Sequence, residues 1–298
     1  MPITRNRFFL LLLALLWCVA GGISPARRPW KTLIVDGQNN HRWRETTPLL
    51  KQALETSGLF SVTVLTSPTK GEDMSGFRPG FHSYDLVVLN YNGDSWPSET
   101  QGSFVGYVEN GGGVVVYHAA NNAFPEWPAY NEIIGLGGWG NRNEKDGPMV
   151  RWREGRLHYD WSPSPAGTHG PRHPFRVTIR DQDHPITKGL PVEWMHASDE
   201  LYSKLRGPAR NLAILATAYA SPERKGTGEH EPILFTVRYG KGRIFHTVLG
   251  HDAAAVQCAG FITTLQRGAE WAVTGKVTQK IPDDFPTAER ISVRPAPK

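Results

Sequence analysis

Three segments of the sequence place side chains that can bind metal ions or move protons directly after short apolar runs. Such runs are typical of strands that are buried on both faces of a parallel sheet. Because the carboxyl ends of parallel strands meet at one edge of the sheet, we expect the side chains that follow them to converge on a site. The residues concerned are Asp36 and His41, Asn90 and Asn92, and His118 and Asn121.

Two further segments combine histidine with carboxylates. In MHASDELY, His196 lies within four residues of Asp199 and Glu200, and one helical turn would bring them together for cation binding or acid–base chemistry. The same letters also fit a helix N-terminus capped by Ser198, in which the acids would be structural. In FHTVLGHD, His251 follows a predicted strand and is either part of the same edge or an exposed turn residue.

No nucleophile stands where flavodoxin-like hydrolases and amidotransferases often carry one. His118 occupies that turn and is followed by Ala-Ala-Asn, without Ser or Cys. A Ser/His or Cys/His mechanism therefore has no support. The glycines Gly135, Gly137 and Gly140 follow a helix-like stretch instead of a strand, so we expect no nucleotide cofactor.

The elements that must position these residues alternate between strands and helices. This order predicts an open α/β sheet of the flavodoxin-like type, mostly parallel, with helices on both faces. The predicted strands are 32–37, 61–66, 85–91, 114–118, 175–180, 211–219, 233–239 and 243–249, and the predicted helices are 46–57, 98–110 and 254–273.

Two regions do not fit the alternating pattern. Residues 125–174 are rich in Gly, Pro and Trp, and we expect a loop-rich insertion that either stacks on a sugar or packs as ordinary loops. After residue 274 the chain becomes polar and Pro-rich, so we expect a poorly ordered tail over 275–298.

The first twenty residues have the pattern of a secretory signal peptide. Two arginines precede an apolar run of twelve residues, which is shorter than the roughly 20 residues that span a bilayer as a helix. We predict cleavage after Ala20 and an exported protein, with an uncleaved anchor as the alternative. Cys18 would leave with this segment, so that Cys258 is the only remaining cysteine and no internal disulfide forms.

Composition excludes several functional classes. The chain has 298 residues, of which 39% are hydrophobic and 10% aromatic, enough to bury a core and to rule out a disordered or collagen-like protein. Eleven histidines against two cysteines argue against a disulfide scaffold and a Cys-rich zinc module. The net charge is +5, but the cations are scattered, so we expect no nucleic-acid partner.

Five motifs, taken in order, resemble those of the ThuA-like (trehalose utilisation) family: VDGQNNHRW, GGGVVVYHAAN, HPITKGLP, SDELY and YGKGRIFHTVLGHD. They extend from about residue 32 to 273, and the resemblance implies one ThuA-like domain at 30–274. The family is similar in fold to class I glutamine amidotransferases and lacks their cysteine, as this chain does, so amidotransferase activity is not expected. It is associated with the processing of disaccharides and related glycosides, including routes through 3-keto sugars.

The resemblance implies that His41, His118, Asp199, Glu200 and His251 line the site. We expect His41, His118 and His251 to hold one divalent metal ion. Catalytic roles are expected for Asp199, Glu200 and His118. The expected substrate-binding residues are Asp36, Asn90, Asn92, Asn121 and His196.

One segment departs from the family pattern. Relatives tend to have a Gly-aromatic-His sequence where this chain has Trp139-Gly140-Asn141-Arg142, so one implied ligand is missing there. The histidines that we expect in loops or in solvent are His82, His158, His169, His173, His184 and His230.

Two functions fit these observations. The first is an exported hydrolase or lyase that acts on a disaccharide or a 3-keto-glycoside, in which a cation polarises a ketone and a carboxylate moves a proton. The second is a non-catalytic sugar-binding protein that uses the same pocket, and a structural role would remain if neither sugar nor metal binds. We expect a carbohydrate partner and no stable membrane span, and the sequence leaves a homo-oligomer open.

Overall fold

The computed structural model describes Met1 and residues 28–295. Beyond Met1, the predicted signal peptide at 1–20 therefore lies outside the described residues. Within the described residues, eleven strands form from runs rich in Val, Ile, Leu and aromatic residues, whose side chains suit a pleated, buried surface. The strands are β1 (Trp30–Asp36), β2 (Phe60–Thr66), β3 (Leu86–Leu89), β4 (Gly113–Tyr117), β5 (Met149–Arg153), β6 (Arg156–Asp160), β7 (His173–Ile179), β8 (Glu193–Asp199), β9 (Leu212–Tyr219), β10 (His230–Tyr239) and β11 (Gly242–Thr247).

Nine of these strands form one sheet in the order β2-β1-β3-β4-β11-β10-β9-β7-β8. The strands from β2 to β11 pair in parallel, and those from β11 to β8 pair antiparallel. Helices cover both faces of this large mixed sheet, and the predicted α/β fold is confirmed. Strands β5 and β6 form a separate hairpin within the predicted insertion.

Five helices of the described chain pack on the two faces of the sheet. Strand β11 shows which face of the sheet α3 and α5 cover, because neighbouring residues of a strand point to opposite faces. Phe245 lies under Gly268 of α5, while His246 reaches the last carbonyl of α3, so α5 and α3 cover opposite faces. The helices are α1 (Trp43–Glu55), α2 (Ser98–Glu109), α3 (Pro128–Ile134), α4 (Ala253–Val256) and α5 (Ala259–Thr274).

The antiparallel half of the sheet curls toward the face that α5 covers. Strand β8 is four strands away from β11 in the order of the sheet, yet it packs against α4 and α5. Trp194 of β8 fits against Gly260 of α5, where a β-carbon would lie 2.3 Å from the indole ring. Because β8 runs in the same direction as β11, this curl returns its carboxyl end to the edge where β1, β3, β4 and β11 end.

Three local predictions are wrong. Residues 195–202 are not a helical turn, because strand β8 continues to Asp199 and pairs with β7. The closing helix is divided into α4 and α5, and the buried Cys258 is the N-cap of α5. The tail is packed over 275–295, where main-chain hydrogen bonds join Thr287 to β8 and Ser292 to the start of α5.

The hydrophobic core is continuous across the sheet. It joins the inward-facing residues of the strands with α1, α2 and α5, and an aromatic cluster around Trp96 and Phe104 fills the space under α2. No helix in the described part of the chain has the length and apolar character that a membrane span requires.

Candidate functional site

A cavity of about 670 Å³ opens at the edge where the parallel strands end. This volume is within the range of small-molecule sites. The wall is formed by the loops after β1, β2, β3, β4, β8 and β11 and by part of the 125–174 region. It contains two half-buried indole rings, Trp43 and Trp139, and the side-chain amides of Gln38, Asn39, Asn40, Asn92 and Asn122.

Four potential metal ligands converge at one end of this cavity. One side-chain atom from each of His41, His118, Glu200 and His251 lies within 4.8 Å of the others. Glu200 Oε2 is at the centre, 3.0 Å from His251 Nδ1, 3.6 Å from His41 Nε2 and 4.0 Å from His118 Nε2. The structure therefore brings the three predicted histidines together and adds Glu200 to them. We refer to these four residues as the ligand cluster.

Neighbouring groups set the tautomers of two of the histidines. His118 Nδ1 donates to the carbonyl of Val248 at 2.6 Å, and His41 Nδ1 donates to the amide oxygens of Asn39 and Asn40 at 3.2 and 3.0 Å. In both rings Nε2 is left as a lone pair that faces Glu200. Metal-binding histidines are usually held in this way by a second contact through the other ring nitrogen.

His118 is the most constrained member of the ligand cluster. It is 1% exposed and adopts a left-handed backbone conformation with φ of 43° directly after β4, an uncommon conformation for a residue that is not glycine. Burial lowers the pKa of its imidazole to about 4, which keeps the ring neutral near pH 7. Its Nε2 atom is buried and has no hydrogen-bond partner among the described residues.

Glu200 is charged under ordinary conditions. Burial opposes its ionisation, but the contact with His251 holds the pKa of the carboxyl well below its usual range. Its second oxygen, Oε1, is 3.7 Å from Nδ1 of His169. Glu200 therefore offers one oxygen to the ligand cluster and the other to the side of the cavity where His169 lies.

Asp199 lies behind the ligand cluster and is fully buried. Its Oδ2 contacts Nε2 of His196 at 2.8 Å and accepts the N–H of Gly250, whereas Oδ1 accepts the N–H groups of Glu200 and His251. Burial opposes charge on His196, but Cys258 and Asp199 together raise the pKa of its imidazole to about 9. The predicted contact of His196 with Asp199 is thus present, while Glu200 points to the ligand cluster instead.

Of the five expected substrate-binding residues, the structure places only Asn92 in the wall of the cavity. The other four do not line the cavity, because each is buried behind the wall with protein partners. Asp36 accepts from Thr66, Asn90 from Asn39, and Asn121 lies 3.2 Å from His246. His196 is the fourth, and Asp199 is its partner.

Two site residues were missed by the sequence reasoning. His169, which we expected in a loop or in solvent, lines the cavity from the 125–174 region with 38% of its side chain exposed. Tyr202 is buried against His118, with ring centroids 4.3 Å apart, and its hydroxyl lies 3.3 Å from His41 Nε2. Tyr202 could have been predicted as a site residue, because it follows the expected site residue Glu200 by two positions. Nothing in the sequence singled out His169.

The donor set of the ligand cluster suits a divalent transition-metal ion. Neutral imidazole nitrogens with one carboxylate are typical ligands of zinc and of related ions. The unpartnered, buried Nε2 of His118 fits this use, since an isolated buried acceptor is costly.

The chain was compared with known proteins. The family model described as ThuA, trehalose utilisation, matches residues 31–272. A ThuA-like protein from Parabacteroides merdae ATCC 43184, known from a crystal structure, is 55% identical, with a TM-score of 0.88 over 90% of this chain and 98% of that one. A ThuA-like protein from Bacteroides uniformis ATCC 8492 is 20% identical and shares the fold, with a TM-score of 0.57 over 86% of this chain and 97% of the other. None of the curated proteins compared with the chain matches it.

Proposed function

We propose, since the chain belongs to the ThuA family and that family is implicated in trehalose utilisation, that it is an exported, metal-dependent enzyme acting on a disaccharide or a 3-keto-glycoside. The observation that carries this proposal is the ligand cluster at one end of a sugar-sized cavity. The signal-peptide pattern at residues 1–20 supports export.

In this proposal, His41, His118, His251 and Glu200 hold the ion. A divalent cation supplies Lewis acidity, which polarises a ketone or hydroxyl oxygen of a sugar. Neutral imidazoles are needed for this role, and the low pKa of His118 keeps one of them available over a wide pH range. The carbonyl of Val248 and the amides of Asn39 and Asn40 keep the two Nε2 lone pairs directed to the same point.

The remaining groups of the cavity bind the sugar and move the proton. The rings of Trp43 and Trp139 offer apolar faces for the C–H groups of a pyranose, and the amide-rich wall offers donors and acceptors for its hydroxyls. Proton transfer is assigned to Oε1 of Glu200, the carboxylate oxygen on the side of His169. Asp199 is not assigned this step, because both of its oxygens are buried and already bonded.

The first prediction concerns metal content. Purified wild-type protein, incubated with Zn²⁺, Mn²⁺ or Co²⁺ and desalted, is expected to retain about one ion per chain by elemental analysis. His118→Ala removes a buried ligand and should lower the affinity by about 10-fold or more. His82→Ala is the matched control, because His82 is exposed and far from the cavity, and it should bind as the wild type does.

The second prediction concerns activity, which is followed with a 3-keto-glucoside and with trehalose. Turnover that stops with a chelator and returns with the metal supports the proposal, whereas a wild type that retains no ion and is indifferent to chelator contradicts it.

A non-catalytic sugar-binding protein is the second candidate, favoured by the two indoles and the amide-rich wall. Sugar binding by the metal-loaded wild type without any turnover would select it.

A further inference from the structure

We propose that the end of the cavity opposite the ligand cluster binds an anionic group carried by the sugar, a phosphate or a carboxylate. This inference deepens the proposed function and rests on it, since it names the class of substrate that the same cavity takes. The observations that carry it are the distribution of charge along the cavity wall and the absence of ion-pair partners for two cations.

The two cations are Arg44 and Lys70, and both line the cavity. Lys70 follows β2, the edge strand, which is three strands from β4 and therefore roughly 14 Å away at about 4.8 Å per strand. Glu200, in the ligand cluster, is the only carboxylate among the described residues that form the wall. Arg44 lies on the same side as Lys70, because it borders a second surface pocket together with Val64 of β2. The cavity is thus polarised, with its acid at one end and two cations toward the other. We call Arg44, Thr69, Lys70 and Gly93 the cationic end.

Within the described residues, neither Arg44 nor Lys70 has a carboxylate within 4.0 Å, unlike the exposed Arg42, which pairs with Glu45 at 3.4 Å. Arg44 is oriented instead by the indole of Trp43, with its guanidinium carbon 4.2 Å from the ring centroid. Such stacking leaves the N–H groups at the edge of the guanidinium available to an incoming anion.

The carboxylates nearest the cationic end are occupied elsewhere. Asp36, which feels the charge of Arg44, is 1% exposed and accepts a hydrogen bond from Thr66. Asp94 accepts the N–H of Gly71 at 2.7 Å, and Glu72 accepts the N–H of Thr69 at 2.9 Å. Among the described residues, none of these three carboxylates lines the cavity or forms an ion pair with Arg44 or Lys70.

Helix α1 adds to the positive potential. It begins at Trp43, and its N-cap, Arg42, provides no side-chain acceptor for the first N–H groups. The helix dipole favours a nearby anion. This contribution reinforces the two side chains and would not define a site without them.

The geometry of arginine suits phosphate and carboxylate equally, because its planar guanidinium can donate hydrogen bonds to two oxygens of either group. The shared chemistry is therefore an oxyanion on a pyranose. The experiment distinguishes a sugar phosphate from a sugar carboxylate by using glucose 6-phosphate and glucuronate as probes, with glucose as the neutral reference.

Binding of these three sugars to the full chain is measured by titration calorimetry at low and high salt. We expect at least one of the two anionic sugars to bind about tenfold more tightly than glucose at low salt, because hydrogen bonds to a charged group are stronger than those between neutral groups. The double variant Arg44→Gln with Lys70→Gln should lose this preference and keep its affinity for glucose. Arg42→Gln, a neighbouring cation outside the cavity, should keep the preference.

An anion can also bind at the ligand cluster, so the titrations are repeated in His118→Ala treated with chelator. A preference that survives there and is removed by the double variant supports the cationic end. Equal affinity for all three sugars, or a preference that the double variant retains, overturns the inference. The metal content of the wild type reports separately on the proposed function, so the two can fail independently.

Discussion

At the scale of single residues, the most informative side chain is Asp199. It is fully buried, and its two oxygens accept the N–H groups of Glu200, Gly250 and His251 in addition to the contact with His196. Two of these N–H groups belong to members of the ligand cluster. Asp199 therefore fixes the main chain from which Glu200 and His251 reach the cavity, and we assign it a positioning role.

The third prediction follows from this role. In Asp199→Asn, one amide N–H₂ group would face main-chain donors, so at least one of the present hydrogen bonds is lost. We expect metal affinity to fall by about 10- to 100-fold, as for other outer groups that orient ligands. Competition with a chromogenic chelator measures the affinity.

Asp73→Asn is the matched control for this change. Asp73 contacts only Ser75 in an exposed turn, so its variant should bind metal as the wild type does. Circular dichroism checks that both variants are folded. Unchanged metal affinity in a folded Asp199→Asn protein would contradict the positioning role.

At the scale of elements, the segment after α5 completes the sheet. Residues 276–295, which we call the C-terminal strap, pass along β8, the last strand in the order of the sheet. Met195 of β8 donates its outward N–H to the carbonyl of Thr287 at 2.7 Å, and the ring of Phe285 lies 5.6 Å from that of Trp194. The strap thus covers a sheet edge that would otherwise present unpaired main-chain groups.

The fourth prediction tests whether this packing contributes to stability. Phe285 is 8% exposed, so Phe285→Ala should lower the free energy of unfolding by about 3 kcal/mol through lost burial and the cavity that remains. Urea unfolding of the full chain measures the change.

Val293→Ala is the control within the same strap. Its side chain is 50% exposed, and its replacement should change the free energy of unfolding by less than about 0.5 kcal/mol. An equally small effect of Phe285→Ala would show that the strap does not unfold cooperatively with the rest of the chain. That result would agree with the expectation of a poorly ordered tail.

At the scale of the whole molecule, buried neutral histidines make the fold sensitive to acid. His246 of β11 donates from Nδ1 to the carbonyl of Ile134 at 2.8 Å, and its Nε2 accepts from Asn121 at 3.2 Å. The contact with Asn121 requires the neutral ring, because a protonated Nε2 cannot accept a hydrogen bond. Burial accordingly lowers the pKa of His246 to about 3, far below that of an unfolded chain.

The fifth prediction is the resulting pH dependence of stability. Between pH 6.5 and about 3 the unfolded state binds a proton at His246 that the folded state does not, so stability is lost as the pH falls through this range. From about pH 7.5 to about 5, this one group should cost about 2 kcal/mol.

His246→Gln removes the titrating group and should reduce the loss between these two pH values by about that amount, as measured by urea unfolding at each pH. Part of the loss should persist, because the pKa of His118 is also lowered by burial. An equal loss in the variant and the wild type would exclude His246 as a source of acid sensitivity.

The sequence by itself determined the fold class and three of the four residues of the ligand cluster. Apolar runs of strand length, separated by helical repeats, predict parallel pairing, and the common edge of parallel strands predicts that the side chains after β1, β4 and β11 meet. His41, His118 and His251 could be selected on this basis because their placement depends on local elements and one topological rule.

Only the tertiary structure decided how Glu200 joins these histidines and why Asp36, Asn90 and Asn121 remain behind the wall. Glu200 reaches the cluster because the antiparallel half of the sheet curls around α4 and α5, and His169 enters from a region without periodic pattern. These positions depend on packing between segments far apart in the chain, and such packing is set by shape and by the pairing of buried polar groups. Residue type and spacing along the sequence do not encode it locally.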